Sequence, residues 1–133
     1  IEDGIGEAKE ILLNGGVVGI PTETVYGLAA LGTDSQAVKR IFEAKGRPQD
    51  NPLIVHISSM DMLGGLVREV PELAKKCSEK FWPGPLTMVL PKSDKIPAVT
   101  ADSPITSAPT MEIAWPTLLG MRSPASRTIS YMR

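Results

Sequence analysis

A chain of 133 residues, 42% hydrophobic and 22% charged, is neither a disordered polymer nor a coiled coil, and its length suits one domain over 1–133. Fourteen basic residues against fifteen acidic leave a net charge of −1, so nothing drives the chain in bulk toward nucleic acid or an anionic membrane, and any nucleotide binding would have to come from a local site. One cysteine, Cys77, excludes an internal disulfide framework and a multi-cysteine zinc site. No window holds about 18 consecutive apolar residues, and the acidic start Ile1-Glu2-Asp3-Gly4 is unlike a signal peptide. A cytoplasmic location and no membrane partner are the expectation.

The first helix is expected over residues 5–13, where Ile5, Ala8, Ile11 and Leu12 recur at helical spacing, Asp3 can cap and Asn14-Gly15-Gly16 ends the run. Val17-Val18-Gly19-Ile20 reads as a buried strand stopping at Pro21. Residues 22–31 mix Thr, Tyr, Gly and Ala and carry no clear period. Thr33-Asp34-Ser35 caps a second helix, with Val38, Ile41 and Phe42 inward and its end at Lys45-Gly46.

Residues 46–52, Gly-Arg-Pro-Gln-Asp-Asn-Pro, form a loop by every local rule, followed by a buried strand over Leu53–Ile57. Ser58 or Ser59 caps a short helix through Leu63. Pro71 opens a longer helix to Phe81 with Leu73, Ala74 and Cys77 inward. Trp82-Pro83-Gly84-Pro85 stops it, and Leu86–Leu90 is a third strand. From about residue 97 the chain is rich in Ser, Thr and Pro, periodicity fades and no element is assigned. Strands alternating with helices make the class α/β, with part of the sheet built through crossovers.

Two stretches can carry chemistry. Lys45 and Arg47, one residue apart around Gly46, can both face one anion, the guanidinium as a planar fork and the ammonium as a compact charge; or Lys45 only complements a helix C-terminus while Arg47 is solvated. No Gly-rich loop ending in Gly-Lys-Ser/Thr is present, so a P-loop is excluded. Thr22, Glu23, Thr24 and Tyr26 follow a strand and can position a small polar ligand, or they form a turn whose threonines satisfy local backbone groups. His56, the only histidine, is a half-buried core residue or a recruited ligand group; without a second His or a cysteine pair no metal site is assigned. Cys77 reads as an inert core residue. Trp82–Pro85 is a turn, or a backbone wall for a ligand.

Four segments in order carry a resemblance: 15–28 (GGVVGIPTETVYGL), 41–48 (IFEAKGRP), 51–56 (NPLIVH) and 81–87 (FWPGPLT). Together they resemble the YrdC-like family of threonylcarbamoyl-adenylate synthases over about residues 5–100, with 101–133 an atypical tail. The resemblance implies a twisted open mixed sheet with flanking helices around a concave cleft. It implies a nucleotidyltransferase that combines L-threonine, bicarbonate and ATP, with Mg²⁺, into threonylcarbamoyl-adenylate and pyrophosphate. The product would feed threonylcarbamoyl modification of adenosine in tRNA by downstream machinery.

Residue by residue, the family's Lys-x-Arg motif falls on Lys45 and Arg47, as catalytic and ATP-binding groups, and Asn51 matches a further ATP contact. Thr24 and His56 match L-threonine positions, and Tyr26 shapes the same pocket. An expected Thr-Val-x-Val-Arg-x-Pro strand has two counterparts, Thr110–Pro116 with Ala114 at the Arg position, or Leu119–Pro124, which would make Arg122 a threonine ligand. The family's Ser-x-Asn motif is absent. The alternative is a non-catalytic RNA-binding module, for double-stranded RNA or ribosome maturation, against which the net charge of −1 counts.

Overall fold

The computed structural model describes residues 2–22, 25–46, 53–101, 110–115 and 129–132. Helix α1 (Glu2–Leu13) starts earlier than its apolar period suggests, so Asp3 lies inside it. Ile5 and Ile11 are exposed, and Leu12 is the side chain α1 buries. The helix ends as the glycines require. Gly15, at φ +75°, donates to the Leu12 carbonyl, and the Gly16 N–H donates to that of Ile11 at 2.8 Å. A side chain on Gly16 would collide with Ile11.

Strands β1 (Val18–Pro21) and β2 (Tyr26–Leu31) pair antiparallel as a hairpin, Val18 against Ala29 and Pro21 against Tyr26. Pro21 is therefore the last residue of the edge strand β1 rather than a stop before it, a position where the missing N–H costs no ladder bond. The unassigned stretch 26–31 is a strand because Ala29 and Ala30, fully buried, fit between neighbours where larger side chains would not.

Helix α2 (Ser35–Lys45) matches its sequence signals closely. Asp34 accepts from the Gln36 and Ala37 N–H groups at 2.9 and 3.2 Å, and Gly46 closes the helix in the left-handed region at φ 60°. Ala37, Val38, Ile41 and Phe42 are buried. Asp34→Ala is expected to lower stability by about 1 kcal/mol in urea unfolding, the usual worth of such a cap.

Then follow β3 (Ile54–His56), α3 (Met60–Leu66), α4 (Glu72–Phe81), β4 (Gly84–Pro91), α5 (Ala98–Ala101), β5 (Thr110–Trp115) and β6 (Ile129–Met132). Helix α4 departs from expectation. Leu73 is 73% exposed, Cys77 is half-buried, and the face turned inward is Ala74 and Ser78. Small residues let α4 sit close while the buried Trp82 ring fills the core beneath it. The tail contains elements that no period announced. Of the two counterparts above, Thr110–Trp115 forms a strand, and Arg122 lies outside the described residues.

The six strands run in the order β1-β2-β6-β3-β5-β4. Strand β6 pairs antiparallel with both β2 and β3, and β3 pairs parallel with β5. Strands β2, β3 and β5 thus share one direction, and the sheet is mixed, as the resemblance implies. One sheet face carries Ala30, Val55 and Ile113, all fully buried. Against it pack two clusters, one around Phe42, Ile41 and Leu53, the other around Trp82, Leu63 and Ile96. The opposite face is more open: on β4, Thr87 and Val89 are exposed between the inward Leu86, Met88 and Leu90.

Candidate active site

Lys45 occupies the last turn of α2, where its charge complements the carbonyl end of the helix, and its side chain is half-buried. The chain leaves β2 at Leu31, returns through α2 and enters the parallel strand β3. A crossover of this kind carries the helix back alongside the strands, over about 16 Å for eleven residues. Lys45 therefore comes to the end of the sheet at which β2 begins. Tyr26 opens β2 at that same end and is 81% exposed.

The hairpin next to Tyr26 is tight. The Thr22 N–H donates to the Val25 carbonyl at 3.2 Å, the Thr22 hydroxyl donates to the same carbonyl, and the Val25 N–H donates to that hydroxyl at 3.3 Å. Thr22 thus does what a turn threonine does and is used up by the backbone. Glu23 and Thr24 lie outside the described residues, as do Arg47 and Asn51.

His56 is placed elsewhere. Its Cα partners are Ile129 on β6 and Ala114 on β5, and Ile129 also partners Leu31. His56 is therefore level with the last residue of β2, five residues beyond Tyr26, about 16 Å along the strand direction. It also points to the more open face, whereas the alternation of β2 puts Tyr26 on the face of Ala30. Both ring nitrogens are shielded from solvent. The structure brings Lys45 and Tyr26 to one end of the sheet and does not bring His56 to them. Ala114, which takes the Arg position in one of the two counterparts above, is the register neighbour of His56. Spacing alone could not have shown either relation, because both depend on strand order.

Two further residues organise this region and carried no sequence signal. Arg40 donates to the Gly15 carbonyl at 2.7 Å, tying the end of α1 to α2. Thr100 is fully buried, and its hydroxyl donates to the Gly32 carbonyl at 3.1 Å. Among the described residues no group of His, Cys, Asp or Glu side chains could hold a metal ion, and no helix is long and apolar enough to cross a membrane.

The chain is similar in sequence and fold to known proteins. The Sua5/YciO/YrdC family model, described as telomere recombination, matches residues 10–110. A threonylcarbamoyl-AMP synthase of Pyrococcus abyssi (strain GE5 / Orsay) is 53% identical over 110 residues, covering 80% of this chain and 32% of the relative. One of Bacillus subtilis (strain 168) is 52% identical over 99 residues, covering 73% of this chain and 29% of the relative. The crystal structure of P. abyssi Sua5 complexed with L-threonine matches at TM-score 0.88 and 44% identity, over 99% of this chain and 38% of that one. The chain spans about a third of the length of these relatives.

Proposed function

The chain belongs to the Sua5/YciO/YrdC family, and from that membership we propose that it carries the ATP- and threonine-handling part of an L-threonylcarbamoyl-adenylate synthase. The observation that supports this is that Lys45 and Tyr26 lie at the same end of the sheet, within a chain that aligns with the threonine-bound P. abyssi structure over 99% of its length. The substrates proposed are L-threonine, bicarbonate and ATP, and the products threonylcarbamoyl-adenylate and pyrophosphate.

The chemistry asks little covalent work of the protein. The threonine amine condenses with bicarbonate, a C–N bond forming as a C–O bond breaks and water leaves; an oxygen of the resulting carbamate then attacks the α-phosphorus, and the P–O bond to pyrophosphate breaks. Negative charge grows on the departing oxygens, and fixed cations there stabilise the transition state more than the ground state. Lys45 and Arg47 are proposed for that role, with Asn51 as a further nucleotide contact. Mg²⁺ is proposed to enter with the nucleotide as MgATP. Thr24 and Tyr26 are proposed for threonine at the same end of the sheet. The product is proposed to pass to machinery that modifies adenosine in tRNA, in the cytoplasm.

His56 is proposed for threonine from its match to the family pattern alone; standing apart from Tyr26 across the sheet, it is the alternative to the Thr24 and Tyr26 placement, and its test separates the two. His56→Ala is expected to weaken L-threonine about fivefold or more, the loss of roughly one hydrogen bond, while leaving MgATP affinity within about twofold. Calorimetric titration of each ligand checks this; equal loss for both would mean a packing defect in β3. Arg122 stays a proposed threonine ligand, checked in the same way by Arg122→Ala.

The direct test supplies the protein with L-threonine, bicarbonate and MgATP and follows pyrophosphate and threonylcarbamoyl-adenylate. Product that needs all three substrates is expected. Pyrophosphate release indifferent to threonine, or none with MgATP bound, would overturn the activity for this chain.

A further inference from the structure

We propose that Thr100 is a positioning residue for the phosphate-binding end of α2, acting through a buried hydroxyl that fixes the foot of that helix. Thr100 sits in the four-residue helix α5 and is fully buried. Its hydroxyl donates to the Gly32 carbonyl at 3.1 Å, a contact spanning 68 residues of sequence. Gly32 is itself buried, directly follows β2, and stands two residues before Asp34, the cap of α2. The main-chain carbonyl of Thr100 meanwhile accepts from the Leu53 N–H at 3.1 Å, and Leu53 leads into β3. One residue therefore holds where the chain departs into α2 and where it comes back to the sheet.

The two bonds do different things. The Leu53 contact uses the backbone and survives any side chain at position 100. The Gly32 contact needs a hydroxyl. Helix α2 is a rigid rod whose other end carries Lys45, so a shift at its foot is transmitted to the cation. Val99 packs beside Phe42 in the same cluster, which keeps α5 against α2. A buried carbonyl that loses its donor must find water or move, and the cheapest movement is of the turn that bears it.

The test compares Thr100→Val, which removes the hydroxyl at nearly constant volume, with Thr100→Ser, which keeps it. The first readout is amide hydrogen exchange. In the Val variant the Asp34 and Val38 amides, at the foot of α2, are expected to exchange about tenfold faster. Leu53 and the α4 amides keep their protection, and Ser restores Asp34 and Val38. No change in the Val variant, or acceleration shared by Leu53 and α4, overturns the proposal. The second readout rests on the function proposed above. The Val variant weakens MgATP about tenfold and L-threonine by less than twofold, and Ser rescues the loss. Equal weakening of both ligands contradicts a positioning role. Failure of the unmutated chain to bind MgATP contradicts the proposed function instead, and the exchange readout still decides the role of Thr100.

Discussion

Alanine at both Lys45 and Arg47 is expected to lower the proposed threonylcarbamoyl-adenylate formation by about 10²–10⁴-fold, the result of losing two charge-assisted contacts of ~1.5–3 kcal/mol each to the departing pyrophosphate. The fold survives this change. The residues that α2 buries are Ala37, Val38, Ile41 and Phe42, and its caps are Asp34 and Gly46. Loss of the Lys45 charge at the helix end costs up to about 2 kcal/mol, the range for a partly buried site. The comparison that isolates the effect is kcat/KM for ATP beside urea unfolding. Activity within about threefold of the unmutated chain, with the fold intact, would remove both residues from the chemistry.

Trp82→Ala acts on stability instead, with an expected loss of about 3–5 kcal/mol, enough to unfold a marginal domain. The Trp82 ring is 7% exposed and lies in the larger core cluster with Leu63, Leu90 and Ile113. Its N–H groups are both engaged: the indole Nε1–H donates to the Leu86 carbonyl at 2.6 Å, and the backbone N–H to the Ser78 carbonyl at 2.9 Å. The same ring thus fills the space beneath α4 and fixes the turn into β4. A side chain on Gly84 would meet the Phe81 carbonyl, so the turn has no room for one. Trp82→Phe keeps most of the volume but leaves the Leu86 carbonyl without its donor, and falls between the two in urea unfolding. Near-wild-type stability of Trp82→Ala would show that the ring does not organise this core.

These two cases separate what the residues reveal from what only the fold reveals. The helix α2 was legible because its signals are local: Asp34 before the apolar period, Gly46 after it. The strands around Ile20, Val55 and Leu90 were legible for the same reason. Helix α4 misled because Leu73 and Ala74 are adjacent and only one can face inward; the tight approach of the helix to the sheet selects the smaller. Strand β2 carried no period because Gly27, Ala29 and Ala30 are set by neighbouring strands. Strands β5 and β6 gave no local signal and exist through pairing with distant partners.

At the site, the ordered motifs pointed to Lys45, Tyr26 and His56, yet sequence spacing could not say that β6 separates Tyr26 on β2 from His56 on β3. Tyr26 and Lys45 lie at one end because the crossover brings α2 back; His56 stands level with Leu31 because β6 pairs both strands. Thr100 was invisible, since a lone threonine in a Ser- and Thr-rich stretch has no pattern of its own.

The most direct measurement is a titration of the isotopically labelled chain with MgATP, followed by amide chemical shifts. Nucleotide phosphates held beside Lys45 predict the largest changes at Lys45, Gly46 and the Thr22–Tyr26 hairpin, with Thr87 and Val89 on the far edge strand unmoved. Saturating MgATP that leaves Lys45 and Gly46 unshifted, or that moves chiefly α4 and β4, would contradict the account.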